Sequence, residues 1–251
     1  MQALHNNPLI KENYLTRLNK HYDADKIVKG QLYENERGSA VGCTIHSGDH
    51  SKYESELVIP LIIAYLQDSI SDGLPDELAK EFPIEFLSAI KVGSDLKNVK
   101  NLFTIWLLTD EKYGVLQYAE DKKVIQDIAN AFVQDIVTPV SAEKWEELRK
   151  NATVSSYSAF HASIAASYSD ASYAANFAAN FAAQTASHFA ATAAYTSADY
   201  VFSDFSYSAV DATYYSNAYS AAHAAYSVSN SKSEWYIAAS KKLIKLLKNA
   251  N

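Results

Sequence analysis

The stretch from residue 151 to residue 231 limits the possible folds of this chain more than any other. It includes 25 Ala, 17 Ser, 10 Tyr and 6 Phe, and it contains no Gly, Pro, Lys or Arg. Ala is the strongest helix former, and the two helix breakers are absent. Bulky residues also recur at the spacing of a helix, as at Tyr200, Tyr207 and Tyr214. This composition predicts a large helical body rich in Ala and aromatic residues.

Asp170 and Asp199 suit the starts of two helices in this body, because Asp accepts hydrogen bonds from the free N–H groups of a first turn. The predicted helices cover residues 171–196 and 199–227. Ala faces allow close approach of neighbouring helices, and aromatic rings fill the gaps between them. The Tyr residues are interpreted either as a packed core or as the lining of a groove, since ten hydroxyls are more than a dry core readily satisfies.

The rest of the chain has the apolar periodicity and the capping residues of shorter helices. The predicted helices cover residues 8–21, 23–30, 61–71, 75–78, 84–90, 96–108, 124–137 and 232–248, and one more starts after Ser141. We expect an all-α fold, with short helices and loops at 1–139 and longer Ala/aromatic helices at 140–251, packed as one unit. The basic, amphipathic 232–248 helix is predicted to dock on the Ala-rich body as a lid.

Charge and cysteine content exclude several classes of protein. The formal net charge is −7, which does not favour nucleic acid or anionic lipid. One Cys leaves no internal disulfide and fits a reducing compartment, so we expect a cytoplasmic protein. No signal peptide and no membrane-spanning run is recognised. We expect no cofactor.

A loop rich in Gly, Cys and His is the first candidate site. Cys43, His46 and His50 lie within eight residues, and Ser51 to Glu54 reads as a capping box that opens a helix. A Cys at a helix N-terminus is biased toward thiolate, and a His within reach could act as its base. These three residues are therefore the candidate catalytic residues. The alternative interpretation is a buried apolar Cys and two His residues that serve as turn or capping groups.

The same loop could instead bind a small anion through its backbone N–H groups. The candidate ligand-binding residues are Gly38, Gly42, Thr44, Asp49, Tyr53 and Glu54. A zinc site at Cys43, His46 and His50 has suitable ligand types, but the spacing matches no zinc template, and no metal is predicted.

The segment 38–75 also resembles a known sequence family. It reads G-x-A-V-G-C-T-x-H, then D-H-x-x-Y-E-x-E-L-x-I-P, then G-L-P. This pattern is similar to an uncharacterised family of prokaryotic and phage-borne proteins that also have an Ala-rich helical tail. The resemblance implies an association with phages or mobile elements, and it implies no activity.

Taken together, the sequence favours a binding or interaction protein whose partner is a protein or a small anionic ligand. Two alternatives stay open. One is a Cys/His-dependent hydrolase or transferase at residues 43–56. The other is a structural protein that self-assembles through its Ala/Tyr surface, which would make it a homo-oligomer.

Overall fold

The computed structural model of this protein is all-α. It describes residues 2–165, part of the segment 175–187, and residues 232–251. No strand is present within those ranges, which contain only two isolated bridges, Ile27 with Gly38 and Glu34 with Arg37. The predicted helices at 171–196 and 199–227 lie largely outside the described residues. The positions described between 175 and 187 are helical, and the four Ala among them are buried.

The helices are numbered in chain order. They are α1 Pro8–Asp23, α2 Ala40–Ile45, α3 Lys52–Leu57, α4 Leu61–Gly73, α5 Asp76–Ala89, α6 Val99–Thr109, α7 Lys122–Val137, α8 Ala142–Ala165 and α9 Lys232–Asn249. Short 3₁₀ turns occur at Ala3–Asn6 and Val115–Tyr118. Asn7 caps α1, because its side chain accepts a hydrogen bond from the N–H of Leu9.

The chain divides into two units. The first comprises Met1–Lys100 together with Tyr236–Asn251, and the second comprises Asn101–Trp235. The contacts thus divide the chain after residue 100, and most of α9 belongs to the first unit. The predicted docking of this helix on the Ala-rich body concerns residues that lie largely outside the described ones.

In the first unit, α1, α2 and α4 all pack against α5, and α2 also contacts α1, α3 and α4. The core of this unit includes Leu18, Val41, Leu57, Ile63, Phe82, Phe86, Leu243 and Leu247, all buried. Gly73, the final residue of α4, makes room for the Tyr236 ring: a Cβ added there would lie 2.3 Å from three ring carbons. The C-terminal end of α4 therefore supports α9.

In the second unit, α7 packs against α8. The rings of Phe132 and Trp145 lie 4.8 Å apart between these helices. Trp235 is fully buried, and its ring is tilted by 40° relative to that of Trp106, with the ring centroids 5.9 Å apart. Its indole N–H donates to the Tyr113 carbonyl at 3.0 Å. This bond satisfies the one polar group of a large apolar side chain.

Three local predictions were wrong. Residues 23–30 do not form a helix, because Asp25 adopts a left-handed conformation (φ +52°). Residues 40–45 form α2 where an irregular loop was expected. Ser51 makes no side-chain cap, since its backbone is already helical (φ −61°, ψ −23°) and cannot aim the hydroxyl at the first turn of α3.

Candidate functional site

Cys43 lies inside α2 and is fully buried. Its Sγ atom is 3.3 Å from the Gly38 carbonyl and 3.5 Å from the Lys26 carbonyl, so the thiol donates to backbone oxygens. Burial raises the pKa of the Cys43 thiol to about 12. The surroundings therefore favour a neutral thiol, whereas a nucleophile needs the thiolate.

Gly38 and Gly42 pack closely against Tyr33. A Cβ on Gly38 would lie 2.8 Å from the Tyr33 Cα, and one on Gly42 would lie 3.0 Å from the Tyr33 Cβ. The backbone at residues 38 and 42 thus approaches Tyr33 more closely than a side chain at either glycine position would permit. Through this contact the segment around Tyr33 packs directly against α2.

His46 pairs with His21 and not with Cys43. Its Nε2 lies 2.8 Å from the Nε2 of His21, and its ring stacks on Tyr33 with centroids 5.1 Å apart. Because a bond between two imidazoles needs one N–H donor and one lone pair, at least one of the two rings is neutral when this bond is made. Burial lowers the pKa of both histidines, and the positive charge of Arg17 lowers both further.

His50 pairs with Asp68, a residue of α4 that the sequence did not single out. Asp68 is 2% exposed, and its carboxylate accepts from His50 Nε2 at 2.8 Å, Ser39 Oγ at 2.7 Å and the Val41 N–H at 2.9 Å. Ser39 also accepts from the Gly42 N–H at 3.1 Å, which caps α2. The Asp lies between Ser and His, so the His cannot take a proton from the Ser as a catalytic base would.

Three of the four remaining candidate ligand-binding residues have hydrogen-bond partners within the fold. Thr44 donates to the Ala40 carbonyl at 2.7 Å, and Tyr53 donates to Gln67 Oε1 at 2.9 Å; both side chains are buried. Asp49 accepts from the Ser51 N–H at 3.0 Å, and Glu54 is half-buried in α3. Among the predicted residues, the structure thus pairs His46 with His21 at the end of α2 and His50 with Asp68, which also binds the first turn of α2.

An open polar pocket occurs elsewhere, within the second unit. Its volume is about 430 Å³. Its polar wall is formed by Glu120, Asp121, Asn151, Ser155, Ser158, Asn176 and Asn180, and its apolar wall by Val124, Val154 and Ala159. We call this cavity the asparagine pocket. No sequence pattern indicates it, since its residues come from three separate segments.

Asn176 and Asn180 form the base of the asparagine pocket and are 3% and 2% exposed. The Asn176 Oδ1 accepts from the Glu120 N–H and from Asn180 Nδ2, both at 2.9 Å. The Asn180 Oδ1 accepts from Ser155 Oγ at 2.6 Å, and its amide nitrogen also donates to the Asn176 carbonyl at 2.9 Å. Two donors on one oxygen fix the orientation of the Asn176 amide.

The described part of the chain shows neither a cluster of metal ligands nor a membrane-spanning helix. No three His, Cys, Asp or Glu side chains come together there as a metal site. None of the helices described combines the length and apolar character needed to cross a bilayer. Comparison with protein-family models, curated proteins and solved structures finds no match to this chain.

Proposed function

We propose that this protein binds a small polar organic molecule in the asparagine pocket. The observation that carries the proposal is the pair Asn176 and Asn180, two almost fully buried amides at the base of an open cavity. Burying an amide is costly unless its polar atoms find partners. Two donors hold the Asn176 amide in one orientation, so its N–H group and the Ser155 hydroxyl are fixed polar groups of the lining that a ligand could contact.

The size and lining of the pocket support the same role. Small-molecule sites have volumes of about 300–1,000 Å³ and combine apolar walls with a few oriented polar groups. The asparagine pocket has both, at about 430 Å³. A second cleft, lined by Asp25, Lys29, Asp76 and Lys80, is a weaker candidate, because Lys29 pairs with Asp76 and Lys80 with Asp25 across it.

The binding role is preferred over the hydrolase or transferase role at residues 43–56. That role needs a thiolate with a base beside it, whereas Cys43 is buried and both nearby histidines are engaged by other residues. The net charge of −7 and the single Cys support a cytoplasmic location as part of this proposal. The resemblance of residues 38–75 to phage-borne proteins adds a phage or mobile-element context to it.

A thermal-shift screen against a chemically diverse set of small metabolites tests the proposal. We expect at least one compound to raise the melting temperature, since a ligand that binds only the folded state stabilises it. Ser158→Trp should abolish the shift, because Ser158 is an exposed lining residue and the indole would fill the cavity.

The matched control is Val137→Trp, which adds the same ring at an 85% exposed position outside the pocket. This variant should keep the full shift. A hit that Ser158→Trp leaves unchanged would place binding elsewhere, and a screen without any hit would contradict the proposed function.

A further inference from the structure

We infer that the asparagine pocket selects a neutral polyhydroxylated ligand, a sugar or a polyol. The inference rests on the proposed function and adds the chemical class of the ligand. It follows from the charge of the lining, from the kinds of hydrogen-bonding group that the lining presents, and from the apolar wall.

The charge of the lining disfavours anions. Glu120 and Asp121 are the charged side chains among the described lining residues, and both are exposed carboxylates. Two negative charges repel a ligand carboxylate or phosphate at close range, and no described lining residue offers a compensating cation. The small anion expected for the 38–56 loop therefore does not suit this pocket.

The hydrogen-bonding groups of the pocket are mixed. The Asn176 amide offers an N–H donor, while the two carboxylates are acceptors, one oxygen of Asp121 already accepting from the Lys123 N–H at 3.2 Å. Ser155 has donated its hydrogen to Asn180, so its remaining lone pairs also need a donor. An ammonium group only donates and a carboxylate only accepts. A hydroxyl does both, so adjacent hydroxyls on one small molecule can satisfy both kinds of group.

The apolar wall completes the match. Val124, Val154 and Ala159 are the apolar residues of the lining, and Val154 is 67% exposed. A sugar ring presents C–H groups on its faces and hydroxyls at its edge. It can therefore cover this wall with a face while its edge reaches Asn176 and the carboxylates, which removes apolar surface from water.

The test is isothermal titration of the full-length protein with D-glucose, D-galactose, D-mannose, myo-inositol and sorbitol, alongside spermidine and citrate as charged probes. We expect at least one neutral probe to bind and citrate not to bind. Asn176→Asp should weaken the neutral probe about tenfold, since it replaces the buried donor by an acceptor and costs about one hydrogen bond.

Asn151→Asp is the matched control, because it adds the same charge at an exposed lining position and leaves Asn176 intact. Equal weakening by the two substitutions would overturn the donor role of Asn176. If Asn176→Asp does not fold, as judged by circular dichroism, loss of binding in Ser158→Trp still locates the ligand. Binding of spermidine without any neutral probe would overturn this inference and leave the proposed function standing, whereas failure of every probe and of the wider screen would overturn both.

Discussion

At the scale of single residues, the His21–His46 pair makes stability depend on pH. The bond between the two Nε2 atoms requires at least one neutral ring and is lost when both rings are protonated, and the pKa of each ring is lowered from its usual 6.5. Burial lowers both pKa values most. Among the charged groups that face the pair, Arg17 lowers both pKa values and Lys26 lowers that of His21, whereas Glu36 raises both and Glu56 raises that of His46. Because the lowering effects dominate, the unfolded chain binds protons more readily than the folded one.

The sign of the pH effect follows from this difference. The contribution of the pair to stability is fully present above pH 6.5 and is lost as the pH falls from 6.5 through the lowered folded-state pKa values. We expect the urea midpoint to decrease between pH 7.5 and pH 5, and His46→Asn to reduce that decrease.

His5→Asn is the control for this prediction. His5 and His46 both have positive φ angles, which Asn tolerates, and His5 is exposed. The variant should keep the pH dependence of the parent. An unchanged pH dependence in His46→Asn would show that the pair does not titrate as the geometry indicates.

Asp68 is the residue on which the loop around α2 depends most. It accepts hydrogen bonds from Ser39, Val41 and His50. Asp68→Ala would leave buried donors unsatisfied, and we expect a loss of about 3 kcal/mol or more in the free energy of unfolding, measured with urea. Asp76→Ala, which removes an exposed carboxylate paired with Lys29, should change stability little. Similar losses in the two variants would contradict the role of Asp68.

The clustering of Gly, Cys and His in the sequence located a real structural centre, but its contacts could not be predicted. Cys43, His46 and His50 are close in sequence, yet each side chain points to a different partner because α2 and its left-handed end at His46 turn them apart. Asp68 and His21 lie on other helices. One clue was present: Gln67 and Asp68 interrupt an apolar run in α4, and a buried polar pair in such a helix needs partners.

At the scale of helices, type was easier to predict than boundaries. The helices at 61–71, 124–137 and 232–248 were placed within two residues at each end, because strong apolar periodicity marks them. The segment 76–89 was split in two at Pro83, but the structure forms one helix, α5. Pro83 cannot donate to the Ala79 carbonyl, and the Ser71 hydroxyl donates to that oxygen instead, at 3.4 Å. A partner from another helix is invisible in a local pattern.

Gly73 offers a test of the contact between α4 and Tyr236. Ala normally stabilises a helix relative to Gly. Here the added Cβ would lie 2.3 Å from the Tyr236 ring, so we expect Gly73→Ala to destabilise the protein by about 1–3 kcal/mol in urea denaturation.

Two variants make this test specific. Gly48→Ala should be nearly neutral, because its Cβ would meet Leu32 at an ordinary 3.4 Å. In a Tyr236→Leu background, Gly73→Ala should cost much less than in the parent. An equal cost with and without the Tyr236 ring would show that the clash is not the cause.

At the scale of the whole molecule, sequence patterns did not indicate which residues belong to which of the two units. Composition changes most near residue 140, which suggested a boundary there, but contacts within the structure divide the chain at residue 100 and return residues 236–251 to the first unit. Composition indicates which residue types a helix contains, whereas the boundaries of a unit depend on which buried helix faces contact each other.

The buried face of α9 should therefore be essential to the first unit. Leu243 is fully buried, and we expect Leu243→Ala to lower the free energy of unfolding by about 2–5 kcal/mol. Lys241→Ala, on the exposed side of the same helix, should have little effect. Hydrogen exchange would locate the loss: amides of α1 and α5 should lose protection in Leu243→Ala, and an effect confined to α9 would contradict its place in this core.

Because residues 236–251 belong to the first unit, this unit cannot complete its core until the last part of the chain has been synthesised. The first hundred residues leave the ribosome well before the segment that fills their core, and at about 5–20 residues per second the interval is on the order of 10 s. During that interval the apolar residues around Gly73 lack the Tyr236 ring. Nascent chains of this protein should therefore bind chaperones until translation passes residue 236, however stable the finished fold is.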